Sequence, residues 1–164
     1  MVDMFSVSME VRGENWRGQS RSSFTGIFDG HPALEGVPDG ERQRIMTRIR
    51  KEQSARYMRN LDSQGVEYGG WVGGPTYHGL VRTGSMMAYV RRRSLGEVSA
   101  NRVRFSMSNQ GGTVWPVTHQ EGDPNGFGRG INIPARRMWD LDAEDEARSE
   151  AIIREEVSRI YGGA

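Results

Sequence analysis

The run Leu141-Asp142-Ala143-Glu144-Asp145-Glu146 constrains the fold more than any other stretch, because it carries every signal of a helix start. Asp142 falls at the N-cap, where a carboxylate accepts hydrogen bonds from the free amides of the first turn. Leu141 falls at N′ and Asp145 at N3, and Glu144, Asp145 and Glu146 complement the positive end of the helix dipole. Ile153, Val157, Ile160 and Tyr161 then recur at helical spacing, and Gly162 and Gly163 stop the helix. A second, longer helix is predicted from Asp39, as its cap, to about Leu61. Its apolar positions are Ile45, Ile49, Met58 and Leu61, with Met46, Ala55 and Tyr57 beside them, and it would span about 33 Å. Arg42, Arg44, Arg48, Arg50, Lys51, Arg56 and Arg59 stud the remainder. They read either as a solvated face or as a face turned towards DNA or an acidic neighbour, with Arg44, Arg48 and Lys51 the candidates to line a DNA channel.

Two segments alternate with period two and read as strands with one buried face. Phe5, Val7, Met9 and Val11 alternate with polar residues up to Gly13, and Val103, Phe105 and Met107 alternate with Arg102, Arg104, Ser106 and Ser108. Glu97 to Ala100 belongs to the second strand or forms a short strand of its own. The fold class predicted is therefore α+β in a single domain over 1–164. A small, mostly antiparallel sheet from residues 5–11 and 97–108 is packed by the long helix and the C-terminal helix, with long glycine-rich loops between. Residues 12–38 fit neither period, yet Trp16, Phe24, Ile27, Phe28 and Leu34 are scattered through them. They are expected to be a long loop or an interface arm that orders against a neighbour. Ser63 to Gly79 reads as an extended loop or a short strand pair. Thr83 to about Tyr89 is a short helix capped by Thr83 or the start of a strand. Asn109 to Gly112 is a turn, and Pro116 makes Val114 to Thr118 an edge strand or a single helical turn.

Composition matters for the size of the core. The hydrophobic share is 35%, and 22 glycines bring the apolar-plus-glycine share into the ordinary range of about 45–50%. Glycine supplies no core side chain, so a small core with long irregular segments is expected. A net charge of +1 gives no bulk field for nucleic acid or membrane. Lys51 is the sole lysine among 22 basic residues. Arginine's planar fork suits protein interfaces and phosphate, while GC-rich coding would give the same bias. There is no cysteine and hence no disulfide or thiolate chemistry. No apolar run approaches membrane-spanning length, and Met1 to Ser8 lacks the pattern of a signal peptide, so a cytoplasmic site of synthesis and no membrane partner are expected.

His119 with Glu121 is the one pairing that invites a catalytic reading, as an acid–base pair or part of a metal site. Neither His31 nor His78 stands at a metal-ligand spacing from His119. No His-Glu-x-x-His, serine elbow or phosphate loop is present. The alternative is a histidine that packs at the end of a segment. No catalytic residue, metal or cofactor is expected. Arg136 and Arg137 follow Pro134, and one of them is expected to pair with Asp140 or with a carboxylate of a neighbouring subunit. Trp139 serves an interface or staples the helix start.

The order of these pieces resembles the phage virion-morphogenesis, or tail-completion, family. His119, Gln120 and Gly122 are similar to its His-Gln-aromatic-Gly step. Ile133, Pro134, Ala135 and Arg136 match Ile-Pro-Ala-Arg. Leu141, Asp142, Glu144 and Asp145 match its helix start, and Leu80 to Met87 resembles a Leu-x-x-Thr-Gly-x-Leu step. Arg137-Met138-Trp139 departs from the Pro-Phe-Leu usual after the arginine. The resemblance implies a structural virion protein at the neck or tail end, without catalysis, that completes the tail and joins it to the filled head. A head-closure or adaptor ring is the alternative, and a nucleic-acid module using the Arg-rich helix 40–61 is the alternative of another class. The implied partners are further copies in a closed ring of six, other neck and tail-tube proteins, and genomic DNA passing without specific binding. The candidates for the subunit joint are His119, Gln120, Glu121, Arg129, Pro134, Arg136, Arg137 and Trp139.

Overall fold

A computed structural model of the chain describes residues 7–12, 23–71, 84–112, 114–125, 130 and 132–162. The elements are β1 (Val7–Arg12), β2 (Ser23–Asp29), a 3₁₀ turn at Pro32–Leu34, α1 (Asp39–Asp62), a 3₁₀ turn at Val66–Tyr68, α2 (Ser85–Arg93), β3 (Glu97–Val98), β4 (Arg102–Ser108), α3 (Pro116–Glu121) and α4 (Ala143–Tyr161). The fold is α+β. The four strands form one antiparallel sheet in the order β1-β2-β4-β3.

The alternation in β4 sets the layers. Val103, Phe105 and Met107 are buried, Arg102 and Arg104 are exposed, and the intervening serines are half-buried. The register pairs Phe24 with Met107, Gly26 with Phe105 and Phe28 with Val103, so the apolar residues of β2 and β4 share the covered face. Val7, Met9 and Val11 stand opposite Phe28, Gly26 and Phe24, as their period predicts.

β2 corrects the reading of residues 12–38 as a loop or arm. Residues 23–29 form an inner strand between β1 and β4, and Phe24 and Phe28 are core residues. Ser23, Thr25 and Ile27 do alternate with them, but Gly26 interrupts the apolar phase and hides the period. Leu141 packs against Gly26: a Cβ at this position would stand 3.3 Å from Leu141 Cδ1, a tight contact that the leucine would have to ease. His31, Leu34 and Val37 carry the burial on towards α1. Residues 13–22 lie outside the described residues, as do most of the Gly-rich passage after Trp71 and the Leu80 to Thr83 part of the resemblance.

α1 starts and ends close to its predicted bounds. Pro38 rather than Asp39 is its N-cap, and Asp39 is the first helical residue. Its buried stripe is Ile45, Met46, Ile49, Gln53, Arg56, Tyr57, Asn60 and Leu61, and polar residues hold three of these positions. Met58 is only half-buried. α4 opens on the predicted capping arrangement. The Asp142 carboxylate accepts from the Glu144 and Asp145 amides at 3.1 and 3.0 Å, and Asp145 Oδ2 accepts from the Asp142 amide at 3.1 Å. The α4 core contacts come from Ser149, Ile152 and Ile153; Val157 and Ile160 are half-buried and Tyr161 is exposed. α2 is capped by Gly84 in the left-handed region, with Thr83 outside the described residues. Val114 to Thr118 resolves as the entry to a short helix, α3.

The centre of the core is aromatic. The Trp139 ring stacks on Tyr57 with centroids 5.3 Å apart, Phe105 meets Tyr57 edge-on at 5.0 Å, and Phe24 lies 6.2 Å from Trp139. Such rings bury the most apolar area per residue, which lets a glycine-rich chain close a core with few large side chains.

Candidate functional site

The motifs that follow Asn109 fold onto one another, and the segment Pro134 to Leu141 runs between them. It has no regular structure and it is largely interior: Met138 and Trp139 are 0% exposed. A buried irregular backbone must find partners outside any ladder, and side chains supply them here. Gln120, on α3, accepts from the Met138 and Trp139 amides through Oε1 at 2.8 and 3.1 Å and donates through Nε2 to the Trp139 carbonyl at 2.5 Å. Asn60, on α1, donates to the carbonyls of Arg137 and Met138 at 2.9 and 2.7 Å. Trp71 Nε1 donates to the Arg137 carbonyl at 3.0 Å, and Tyr57 Oη to that of Asp140 at 3.0 Å. The indole of Trp139 donates to Ser94 Oγ at 2.8 Å, and Ser94 passes a hydrogen bond on to the Val90 carbonyl at 2.8 Å.

α3 is held from both sides. Its N-cap, Trp115, offers no side-chain cap bond; Asn109 Oδ1 reaches in instead and accepts from the Val117 and Thr118 amides at 2.9 and 3.3 Å. At its far end the Arg136 amide donates to the His119 carbonyl at 2.7 Å, and Asp123 and Ile133 exchange backbone bonds at 2.8 and 2.7 Å. Gly122 turns the chain between them at φ 78°. A Cβ there would stand 2.8 Å from the Ala135 amide nitrogen and 3.0 Å from the Ile133 carbonyl oxygen. Glycine after His-Gln-Glu is therefore required by a close backbone approach as well as by its dihedral.

The other half of the site is Arg56. Its guanidinium is 2% exposed and is surrounded by carboxylates. Nη1 lies 2.7 Å from Asp142 Oδ1 and 2.6 Å from Asp145 Oδ1, and Nη2 donates to Asp142 Oδ2 at 3.0 Å, to Glu144 Oε2 at 3.2 Å and to the Glu67 carbonyl at 3.1 Å. Nε donates to Glu67 Oε2 at 3.2 Å. The ring of Tyr68 lies 4.3 Å from the guanidinium carbon, and its hydroxyl donates to Asp145 Oδ2 at 3.1 Å. Burial works against the charge of Asp142, yet hydrogen bonds from Arg56 and the Asp145 amide hold its carboxyl down to about 2. At Asp145 burial prevails and the pKa is raised. The helix start read from the sequence is thus also the anion pair that a distant arginine on α1 locks in place. By sequence Arg56 is one cation among seven on a solvated face. Its spacing singles it out all the same: it stands seven residues after Ile49, on the buried stripe.

The remaining candidates separate. Gln120, Arg136 and Trp139 are buried in their own subunit, Arg136 at 2% exposure, so their side chains are not available to a subunit joint. The reason is the irregular segment they secure. Glu121 is exposed, His119 and Pro134 are half-buried, and Arg129 lies outside the described residues. Arg137 is exposed and pairs with Asp140 at 2.6 Å, the partner expected for one of the two arginines. Trp139 is core and does not staple the helix from outside.

His119 and Glu121 do not meet. Two residues apart on a helix, they point to opposite sides. His119 Nδ1 is buried without a hydrogen-bond partner, and burial followed by the charge of Arg136 lowers the imidazole to about 4. A neutral ring with no carboxylate beside it fits packing at the end of α3. Among the described residues no three His, Asp or Glu side chains come together as metal ligands, and no helix is long and apolar enough to cross a membrane.

Arg44, Arg48 and Lys51 do share one face and line an open groove of ≈ 570 Å³ with Gly40, Gln43, Thr47 and Glu156. Two of the three are balanced within the chain. Arg44 pairs with Glu41 at 3.2 Å, and Arg48 binds Glu155 and Glu156 at 2.8 Å each, tying α1 to α4. Compared with protein-family models, with curated proteins and with solved structures, the chain matches none.

Proposed function

We propose that this chain is a structural subunit of a tailed-phage virion, forming a ring at the neck or tail end that completes the tail and joins it to the DNA-filled head. The observation that carries the reading is the use made of the residues behind the resemblance. Gln120, Gly122, Arg136, Asp142 and Asp145 all serve to hold one irregular segment and one helix start against the core. A motif set spent on rigidity, with His119 and Glu121 pointing apart, supports a building block rather than a catalyst centred on that pair. The balance of Arg44 and Arg48 by glutamates of the same chain supports the expected passive passage of DNA, since a channel must not hold the strand it conducts. The number of copies, six, comes from the resemblance alone.

With Gln120, Arg136 and Trp139 committed to the interior, the joint falls to exposed Glu121, half-buried His119 and Pro134, and exposed Arg137. A ring joint of this kind pairs two different patches of the subunit. The test is genetic. A phage in which Glu121→Arg and Arg137→Glu replace the wild-type gene is expected to make filled heads and tails that fail to join or that vary in length. The purified variant should stay folded and melt close to the wild type, because both side chains are exposed and the surface pair of Arg137 with Asp140 that it loses contributes little. Complete, infectious particles from a null mutant of the gene would exclude the neck and tail-end role.

A further inference from the structure

A small recess opens at the corner where α2 ends and β3 meets β4. It has a volume of ≈ 90 Å³ and is lined by Arg92, Arg93, Leu95, Gly96, Glu97, Arg104 and Ser106. Most arginines of the described fold have a carboxylate: Arg91, next in sequence, takes Asp62 at 2.7 Å, and Arg102, two residues before Arg104, takes Asp29 at 2.6 Å. Among the described residues Arg92, Arg93 and Arg104 have none. They converge on the recess from two elements. Arg104 projects from the exposed face of β4, and Arg92 and Arg93 stand at the C-terminus of α2, with their guanidinium carbons 5.9 and 5.4 Å from the centre of the Tyr89 ring. Tyr89 is in turn held by the Ser108 amide, which donates to its hydroxyl at 3.2 Å. Glu97 is the one carboxylate in the lining, so the corner keeps a net positive charge that is open to an anion.

The rim names the class of anion. Leu95 is 58% exposed, one of the few large apolar side chains left in solvent among the described residues, and it stands beside the arginines. Glu97 faces Arg104 across the β3–β4 register. A nucleic-acid backbone offers nothing apolar to Leu95 and needs cations in a track, whereas Arg91 and Arg102 on either side are already neutralised. A protein segment that alternates carboxylates with an aliphatic residue offers both contacts: charge-assisted bonds to the arginine forks, which outnumber Glu97 three to one, and an apolar contact on Leu95. We infer that the Arg92–Arg93–Arg104 corner is a docking site for an acidic, leucine-bearing segment of a partner protein.

The probe is a short fluorescent peptide of alternating aspartate and leucine, with the same peptide carrying asparagine for aspartate and a fluorescent duplex DNA as comparisons. Anisotropy is read at about 150 mM salt, where loose surface attraction is screened. The aspartate peptide should bind at least about tenfold more tightly than the asparagine one. Arg92→Gln with Arg104→Gln should remove that difference, Leu95→Asp should weaken the aspartate peptide about tenfold, and Lys51→Gln on α1 should leave it unchanged. All the altered side chains are exposed, and unchanged thermal melting confirms that each variant is folded. Equal binding of the two peptides, an equal loss with Lys51→Gln, or tighter binding of the duplex that the arginine variant abolishes would each overturn the inference.

Discussion

At the scale of single residues, Arg56 is where the chain has the most to lose. It compensates Asp142 and Asp145 together, and Asp145 is 1% exposed. Replacing it by methionine keeps the volume and strands two carboxylates beside each other. The expected loss is roughly 3–5 kcal/mol, the usual cost of breaking rather than replacing a buried ion pair. Urea denaturation at neutral pH measures it. The deficit should shrink as the pH falls below about 4, because protonated carboxyls no longer lack a counter-charge. His119 gives a second residue-scale expectation. Its folded pKa of about 4 lies below the ordinary 6.5. Between these values the unfolded chain takes up a proton that the folded chain refuses, so stability falls as the pH drops through that window. The full loss is roughly 3 kcal/mol. His31, also lowered by burial, adds with the same sign. His119→Asn should flatten the dependence of stability on pH between neutral and pH 4; a slope unchanged by the substitution would mean that the ring is solvated.

At the scale of elements, the two glycines Gly40 and Gly122 should respond in opposite directions. Gly40 sits exposed in the first turn of α1, and a Cβ added there would meet nothing within 4 Å. Alanine there should stabilise by roughly 0.5–1 kcal/mol through helix propensity and a less flexible unfolded chain. Gly122 ends α3 with positive φ and a backbone wall at 2.8 Å. Gly122→Ala should cost more than the roughly 1 kcal/mol of an ordinary substitution, and it should loosen the Asp123–Ile133 bridge first. Thermal melting of both variants decides the pair. α4 shows what the sequence conveys well about an element. Cap, N3 partner and stop are local chemistry, and they stand where the residues demand: Asp142, Asp145 and Gly162. Its buried face is read less well, because Ile152 and not Tyr161 completes it.

At the scale of the molecule, the sheet decides how much of the chain is ordered by its own contacts. β2 runs between β1 and β4 through the segment expected to wait for a neighbour, and Phe24 and Phe28 anchor it in the aromatic centre. Amides of residues 24–28 should therefore be among the slowest to exchange in the isolated chain, measured by hydrogen exchange. Rapid exchange there would return the strand to the class of segments that order only on assembly. The ion pairs from Arg48 to Glu155 and Glu156 and from Arg159 to Glu41 join α1 and α4 on the exposed side, where each adds little at ordinary salt. The interior ties at Gln120, Asn60 and Arg56 hold the two halves of the chain together.

What the sequence determined alone is the local chemistry: both long helices, the capping residues of α4, the alternation of β1 and β4, and the absence of thiolate chemistry. These depend on neighbours within a few residues, so spacing suffices to read them. What only the tertiary structure decided is which polar side chains go inside. Gln120, Asn60, Arg56 and Arg136 look on paper like any exposed polar residues. Gln120 and Asn60 are buried because an irregular segment, Pro134 to Leu141, has no ladder partners and must draw donors and acceptors from α1 and α3, elements up to 78 positions away in sequence, and Arg56 is buried against the carboxylates that open α4. The same holds for β2, whose strand period is concealed at Gly26, where Leu141 packs against the strand. A long-range contact of that kind leaves no local mark, and the sheet and core that impose it exist only once the chain has folded.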